Sequence, residues 1–217
     1  MRKLLIALFL IVIATRFCSG QDKDSLFVFV GERISVHEFK QHVDPPHIDP
    51  KTGDTIGTII FDASFKAKYK VIQSVFNKYD RDTIEFEAFD HYGKPRFSRY
   101  QYALLFLVRS NGKYYHVKYT YYEVYPTQDG RWASACDLGA TMFVDDYDSM
   151  RAKAVPVQFQ KSLSFKLKKV IPGARSAYIE PYFTVRNNKA IPLMGTYVDD
   201  LLKIEEEGIL KYRGYFK

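Results

Sequence analysis

The sequence predicts a mainly β protein with a few short helices, built as an antiparallel small barrel or a strongly curved sheet, with C-terminal strands and one helix packed on it. Three observations predict it. Apolar and charged residues alternate through residues 65–71 and 84–88, the period of half-buried strands. Residues 102–108 are almost wholly apolar, and Asn111-Gly112 then leads into a long return strand, the pattern of a central hairpin. The alternation slips phase at Val71-Ile72, as it does where a β-bulge or sharp bend interrupts a strand.

Taken in order, the chain opens with basic Met1-Arg2-Lys3 and an unbroken apolar run over residues 4–14. That run is shorter than the roughly 20 residues that span a bilayer as a helix, but it suits the core of a signal peptide. Small residues in Cys18-Ser19-Gly20 place the cut before Gln21, so residues 1–20 are read as the leader and 21–217 as a single β-rich domain. Cys18 permits a second reading, as a lipid anchor, although Thr15, Arg16 and Phe17 are not the small residues that usually precede such a cysteine. No later segment is apolar enough for a transmembrane segment. Export to a periplasmic or extracellular location is therefore expected.

Within 21–217 the barrel core is expected over about 26–136 and a C-terminal extension over about 137–217. Leu26 to Val30 is a short apolar strand closed by Gly31, and residues 40–58 form a loop punctuated by Pro45, Pro46, Pro50 and Gly53. Tyr115, Val117, Tyr119 and Tyr121 are expected on one face of the strand that follows Asn111-Gly112. Asp129-Gly130 turns into a strand over 131–136. A short helix over 145–154 and strands over 157–167 and 178–185 are expected next, and Asn187-Asn188 turns the chain into 190–194. Thr196, with Asp199 three residues on, reads as a helix cap. Val198, Leu201, Leu202 and Glu205 form the stripe of that helix, and Gly208 is its stop.

The quoted strands carry a resemblance. "VFVGE" (28–32), "YKVIQSVF" (69–76), "TIEFEAFD" (83–90) and "YALLFLV" (102–108) with its hairpin resemble the netrin-like modules, the OB-type barrel shared by tissue inhibitors of metalloproteases. The resemblance covers roughly residues 26–132 and implies the barrel. In those inhibitors an N-terminal cysteine sets its free amine on the target's zinc. Here the mature chain is expected to begin at Gln21 and has no cysteine pair, so that chemistry is not carried over.

Composition narrows the function. Removing Arg2, Lys3 and Arg16 leaves 29 basic residues against 25 acidic, a mild excess that gives no footprint for nucleic acid. With Cys18 gone, Cys136 cannot form an internal disulfide and reads as a small buried apolar residue. Its other reading pairs it with His116 or His91 as a thiolate nucleophile, which needs the imidazole within hydrogen-bond reach. His42, Asp44, His47 and Asp49, in the densest polar loop, are the candidate metal ligands, because imidazoles and carboxylates together suit a divalent ion. Their spacing matches no established metal motif, and no cofactor is expected. Tyr114, Tyr119, Tyr121 and Tyr122 are the candidate ligand-binding residues, since aromatic rings on a strand suit a protein, peptide or glycan ligand. The leading expectation is an exported non-enzymatic binding or interaction protein. The alternatives are a small metal-dependent or cysteine hydrolase and a membrane-tethered structural envelope protein.

Overall fold

The computed structural model describes residues 25–43, 45–170 and 172–216. The expected leader, Gln21 and Cys18 lie outside them. Five strands carry the N-terminal half: β1 (Leu26–Phe39), β4 (Ala63–Phe76), β5 (Thr83–Asp90), β6 (Tyr102–Ser110) and β7 (Lys113–Glu123). A two-residue hairpin, β2 (His47–Ile48) with β3 (Thr55–Ile56), interrupts the long loop between β1 and β4.

The strands form as the sequence leads one to expect. In β4, Phe65, Ala67 and Tyr69 are buried, while Lys66 and Lys70 are exposed. In β5, Ile84, Phe86 and Ala88 are buried between Glu85 and Glu87. Asn111 and Gly112 take φ of 50° and 76°, both central residues of the tight turn joining β6 to β7. The bulge expected at Val71-Ile72 is present. Val30 pairs with Gln73 and Gly31 with Val71, leaving Ile72 as the extra residue.

Hydrogen-bonded neighbours run β1-β4-β5-β7-β6 and return to β1. This ring corrects the expected architecture: its strands are not arranged round one axis, so neither the OB-type, netrin-like barrel nor a strongly curved sheet is found. A barrel requires strands that share one tilt and a steady stagger. Here β1 and β4 run 14 residues each with three register shifts between them, β6 and β7 shift again, and β5 meets β7 through the single parallel pair Glu87 and Tyr115. A bulge of this kind bends the strand that carries it. Mainly β with a few short helices remains the right description.

The C-terminal half supplies β8 (Tyr125–Pro126), β9 (Trp132–Ser134), α1 (Val144–Ala152), β10 (Val155–Pro156), β11 (Phe165–Lys166), β12 (Phe183–Arg186), β13 (Lys189–Pro192), β14 (Met194–Tyr197), α2 (Val198–Glu207) and α3 (Ile209–Tyr212). They build a four-stranded sheet, β10-β14-β9-β8, and a three-stranded one, β11-β13-β12. Residues 157–167 are not the expected strand. That segment is held instead by separate bonds, Gln128 N–H to Gln158 O at 2.8 Å and Gln160 N–H to Pro126 O at 2.9 Å. Thr196 lies in β14 and does not cap α2; its hydroxyl donates to Met150 O at 2.6 Å.

β1 and β6 form a wall between two cores. Leu26, Val28, Leu104 and Phe106 face one core with Tyr122, Met150, Leu201 and Leu210. Phe29, Leu105 and Leu107 face the other with Tyr69, Phe86, Phe97 and Tyr121. This is why residues 103–107 are buried without alternation. Backbone approach is tightest at Gly195 in β14, where an added Cβ would lie 2.7 Å from Ser134 O and 3.1 Å from Phe159 Cζ. A carbonyl oxygen in a paired strand has little room to move. Gly195→Ala is therefore expected to lower unfolding free energy by about 1–3 kcal/mol in a denaturant titration.

Candidate interaction surface around Tyr119

The four candidate tyrosines part company in the structure. Leu107 pairs with His116 and Leu105 with Tyr121, so Phe106 stands opposite four residues of β7, 117–120. This insertion inverts the strand's parity. Val117 and Tyr122 face the first core, while His116 and Tyr121 face the second. The expected single face of Tyr115, Val117, Tyr119 and Tyr121 is therefore broken.

Tyr121 and Tyr122 are core residues. The Tyr121 ring packs 5.9 Å from Phe97. The Tyr122 hydroxyl donates to Glu205 Oε1 at 2.6 Å. Tyr114 is half-buried between Phe27 and Tyr79, with centroids 5.5 and 5.6 Å away. Of the four, Tyr119 alone joins an open surface cluster, and it does so at φ 67°, a left-handed conformation that a bulky L residue rarely adopts.

Three chain segments meet at Tyr119. Its ring lies 5.8 Å from Tyr92, inclined 44°, and 5.9 Å from Phe143, perpendicular to it. Its hydroxyl accepts the His91 N–H at 3.4 Å. Beside it Lys118 Nζ donates to Asp62 Oδ2 at 2.6 Å and sits 5.1 Å over the Tyr119 ring. Burial alone would lower the Lys118 pKa, but Asp62 and Tyr119 together outweigh it and the net shift is upward. His91 Nδ1 is 3.0 Å from Phe61 O, tying the end of the long loop to the turn after β5. Asp90 fixes that turn by accepting the Tyr92 N–H at 2.8 Å, and burial raises its carboxyl pKa.

The result is an uncovered apolar cluster. Phe61 is 73% exposed, Tyr92 74%, Phe143 50% and Val144 67%, with Ile59 and Ile60 next along the loop. Large apolar side chains gathered at the surface mark interaction sites more often than chance exposure does. Sequence reasoning found Tyr119 and missed Phe61, Tyr92 and Phe143. The apolar run Ile59-Ile60-Phe61 inside a loop of exposed residues was the signal that pointed to them.

The other candidate chemistry is not assembled in this way. His42 and His47 are exposed, and Asp49 Oδ1 accepts the Lys51 N–H at 2.8 Å within a turn. Asp44 lies outside the described residues. Among the described residues no three histidine, cysteine, aspartate or glutamate side chains are gathered as metal ligands. Cys136 is fully buried, its Sγ is 3.7 Å from Thr196 Oγ1, and burial pushes the thiol up to about 11. His116 lies in the second core and His91 is exposed, so neither stands as its base. Among the described residues no helix is long and apolar enough to cross a membrane.

Compared with family models, curated proteins and solved structures, the chain matches none.

Proposed function

We propose that this chain is an exported, non-enzymatic interaction protein that takes a segment of a partner protein against the Tyr119 cluster. The observation that carries the reading is the exposed aromatic group of Phe61, Tyr92 and Phe143 beside half-buried Tyr119, a tyrosine in strained backbone. A left-handed tyrosine costs on the order of 1–3 kcal/mol, and such strain concentrates at binding sites. The bulge re-aims Tyr119 away from both cores. Its rings are mutually inclined, which suits apolar side chains entering between them better than one flat sugar face. Lys118 and Asp62 set a polar rim beside the rings, the layout in which aromatic anchors contribute most to protein binding.

The test is selection from a random twelve-residue peptide library, run beside a glycan array. Selected peptides are expected to bind wild type and to weaken at least tenfold with Tyr92→Ala or Tyr119→Gly. Tyr119→Gly is a clean probe because glycine relieves the positive φ. Its unfolding free energy is expected to stay within about 1 kcal/mol of wild type or to rise, since the lost ring contacts are at the surface. Peptides indifferent to both substitutions would sink the proposal. Glycan binding abolished by the same substitutions would move the ligand class to sugars.

A further inference from the structure

Away from the Tyr119 cluster, a cavity lies on different chain segments. It measures about 290 Å³ and runs between the end of β7, β8 and the segment after Phe159. Tyr102, Glu123, Tyr125, Phe159, Gln160 and Lys161 line it. Its frame is fixed by backbone bonds: Glu123 N–H to Ala140 O at 2.8 Å, Gln160 N–H to Pro126 O at 2.9 Å, and the Gln160 side-chain amide to Thr127 O at 3.2 Å. The rings are fixed too. Phe159 stands perpendicular to Tyr125 at 6.0 Å, and Tyr102 packs 4.8 Å from Trp132.

The carboxylate is the unusual part. Glu123 has no ion-pair partner among the described residues, and exposed Lys161 on the rim does not pair with it. A partly buried carboxylate without a cation is costly. Burial pushes its pKa up to about 7, nearby Asp137 adds to this, and the Tyr125 hydroxyl opposes it. A cation entering the cavity would meet the Glu123 carboxylate, hydrogen-bonded by the Tyr125 hydroxyl but paired with no cation, and the aromatic rings that share its lining. Both attract an ammonium, the rings through their negative faces.

We propose that this cavity binds the ammonium group of an alkylamine, held against Glu123 and walled by Tyr102, Tyr125 and Phe159. The source is a free small amine or the side chain of a lysine residue. The assignment uses none of the Tyr119 cluster and stands or falls apart from it.

Trp132 is the protein's one tryptophan, and its contact with Tyr102 makes it a built-in reporter. The experiment titrates the purified protein at pH 8 with n-butylamine, with Nα-acetyl-lysine amide and with 1-butanol, following tryptophan fluorescence and checking by calorimetry. Saturable binding of an amine, at least tenfold tighter than 1-butanol, is expected. Glu123→Gln should weaken the amine at least tenfold and leave 1-butanol unchanged. Preference between the two amines separates a free amine from a lysine side chain. Phe159→Leu, which keeps an apolar wall but removes a ring, should weaken the amine about threefold and serves if Glu123→Gln fails to fold. Equal binding of butylamine and butanol, or amine binding indifferent to the substitution that folds, overturns the assignment.

Discussion

Unfolding free energy is expected to be greatest between about pH 4.5 and 6.5 and to fall on both sides, with Glu205 setting the alkaline limb. Glu205 occupies the fourth place of the α2 stripe after Val198, Leu201 and Leu202, so its carboxyl is carried into the first core. It is 2% exposed and hydrogen-bonded by the Tyr122 hydroxyl. Burial first, and the charge of Asp146 second, raise its pKa from 4.5 to about 8, against the opposing bond from Tyr122. A group whose folded pKa is raised contributes stability that is fully present below its unfolded pKa and is lost as pH rises through the folded value. The loss from Glu205 therefore accumulates between about 4.5 and 8.

His116 works in the other direction. Burial depresses its pKa from 6.5 to about 3. The unfolded chain binds a proton there below 6.5 while the folded one does not, so stability drains as pH falls from 6.5 toward 3. Between 4.5 and 6.5 the two slopes oppose each other, and Glu123, raised to about 7, tilts the plateau toward its acidic end. Above 6.5 Glu205 acts without that opposition. The drop from pH 6.5 to 8.5 is then roughly 2 kcal/mol, at 1.36 kcal/mol per unit of pKa shift. Guanidinium unfolding at pH 4, 5.5, 7 and 8.5 measures the curve. Glu205→Gln keeps an oxygen to accept from Tyr122 and removes the charge. It should flatten the alkaline limb and exceed wild-type stability at pH 8.5. An alkaline limb unchanged in Glu205→Gln would show that another group sets it.

Phe97→Ala is expected to destabilise by about 3–5 kcal/mol, the range for deleting a buried phenylalanine. Phe97 is fully buried in the short 3₁₀ turn Arg96–Arg99, against rings carried by β4, β5 and β7. Its centroid lies 6.1 Å from Tyr69, 6.0 Å from Phe86, 5.9 Å from Tyr121 and 4.6 Å from His116. Removing it leaves a cavity that its neighbours, all anchored on paired strands, fill only in part. The same substitution removes the ring nearest His116, which is half-buried and whose Nε2 is 3.1 Å from Thr120 O, and so admits more water to it. The imidazole pKa should rise from about 3 toward its ordinary 6.5, read by NMR titration. Exposed Tyr92→Ala is the control and should change stability by no more than about 0.5 kcal/mol. A loss below 1 kcal/mol in Phe97→Ala, with His116 still untitratable, would mean that the core closes over the gap.

Much of the strand framework is legible in the sequence. Tyr69 and Ile84 are buried where strict alternation puts them, and Asn111-Gly112 and Asn187-Asn188 turn where their tolerance of positive φ puts them. Even the bulge at Ile72 shows as a slip in the alternation. These features are written in neighbours a few residues apart, so local sequence determines them. The partnership of Glu205 is a mixed case. Its place on the helical stripe is visible in the sequence, but its partner Tyr122, on β7, is not.

The tertiary structure decided the rest. Tyr114, Tyr119, Tyr121 and Tyr122 look equivalent along one strand, and only the insertion opposite Phe106 sends two to different cores and turns Tyr119 outward. The resemblance to a barrel likewise rested on strand patterns. Patterns specify which residues pair and which are buried, but not the direction in which successive register shifts turn the strands. Nor does composition tell that Tyr92 and Phe143, from separate segments, stay uncovered against Tyr119, or that the exposed Phe61 is tied to the same turn through its carbonyl. Periodicity and turn chemistry act between neighbours in the chain, whereas register, face and exposure depend on which distant segments arrive to cover a side chain.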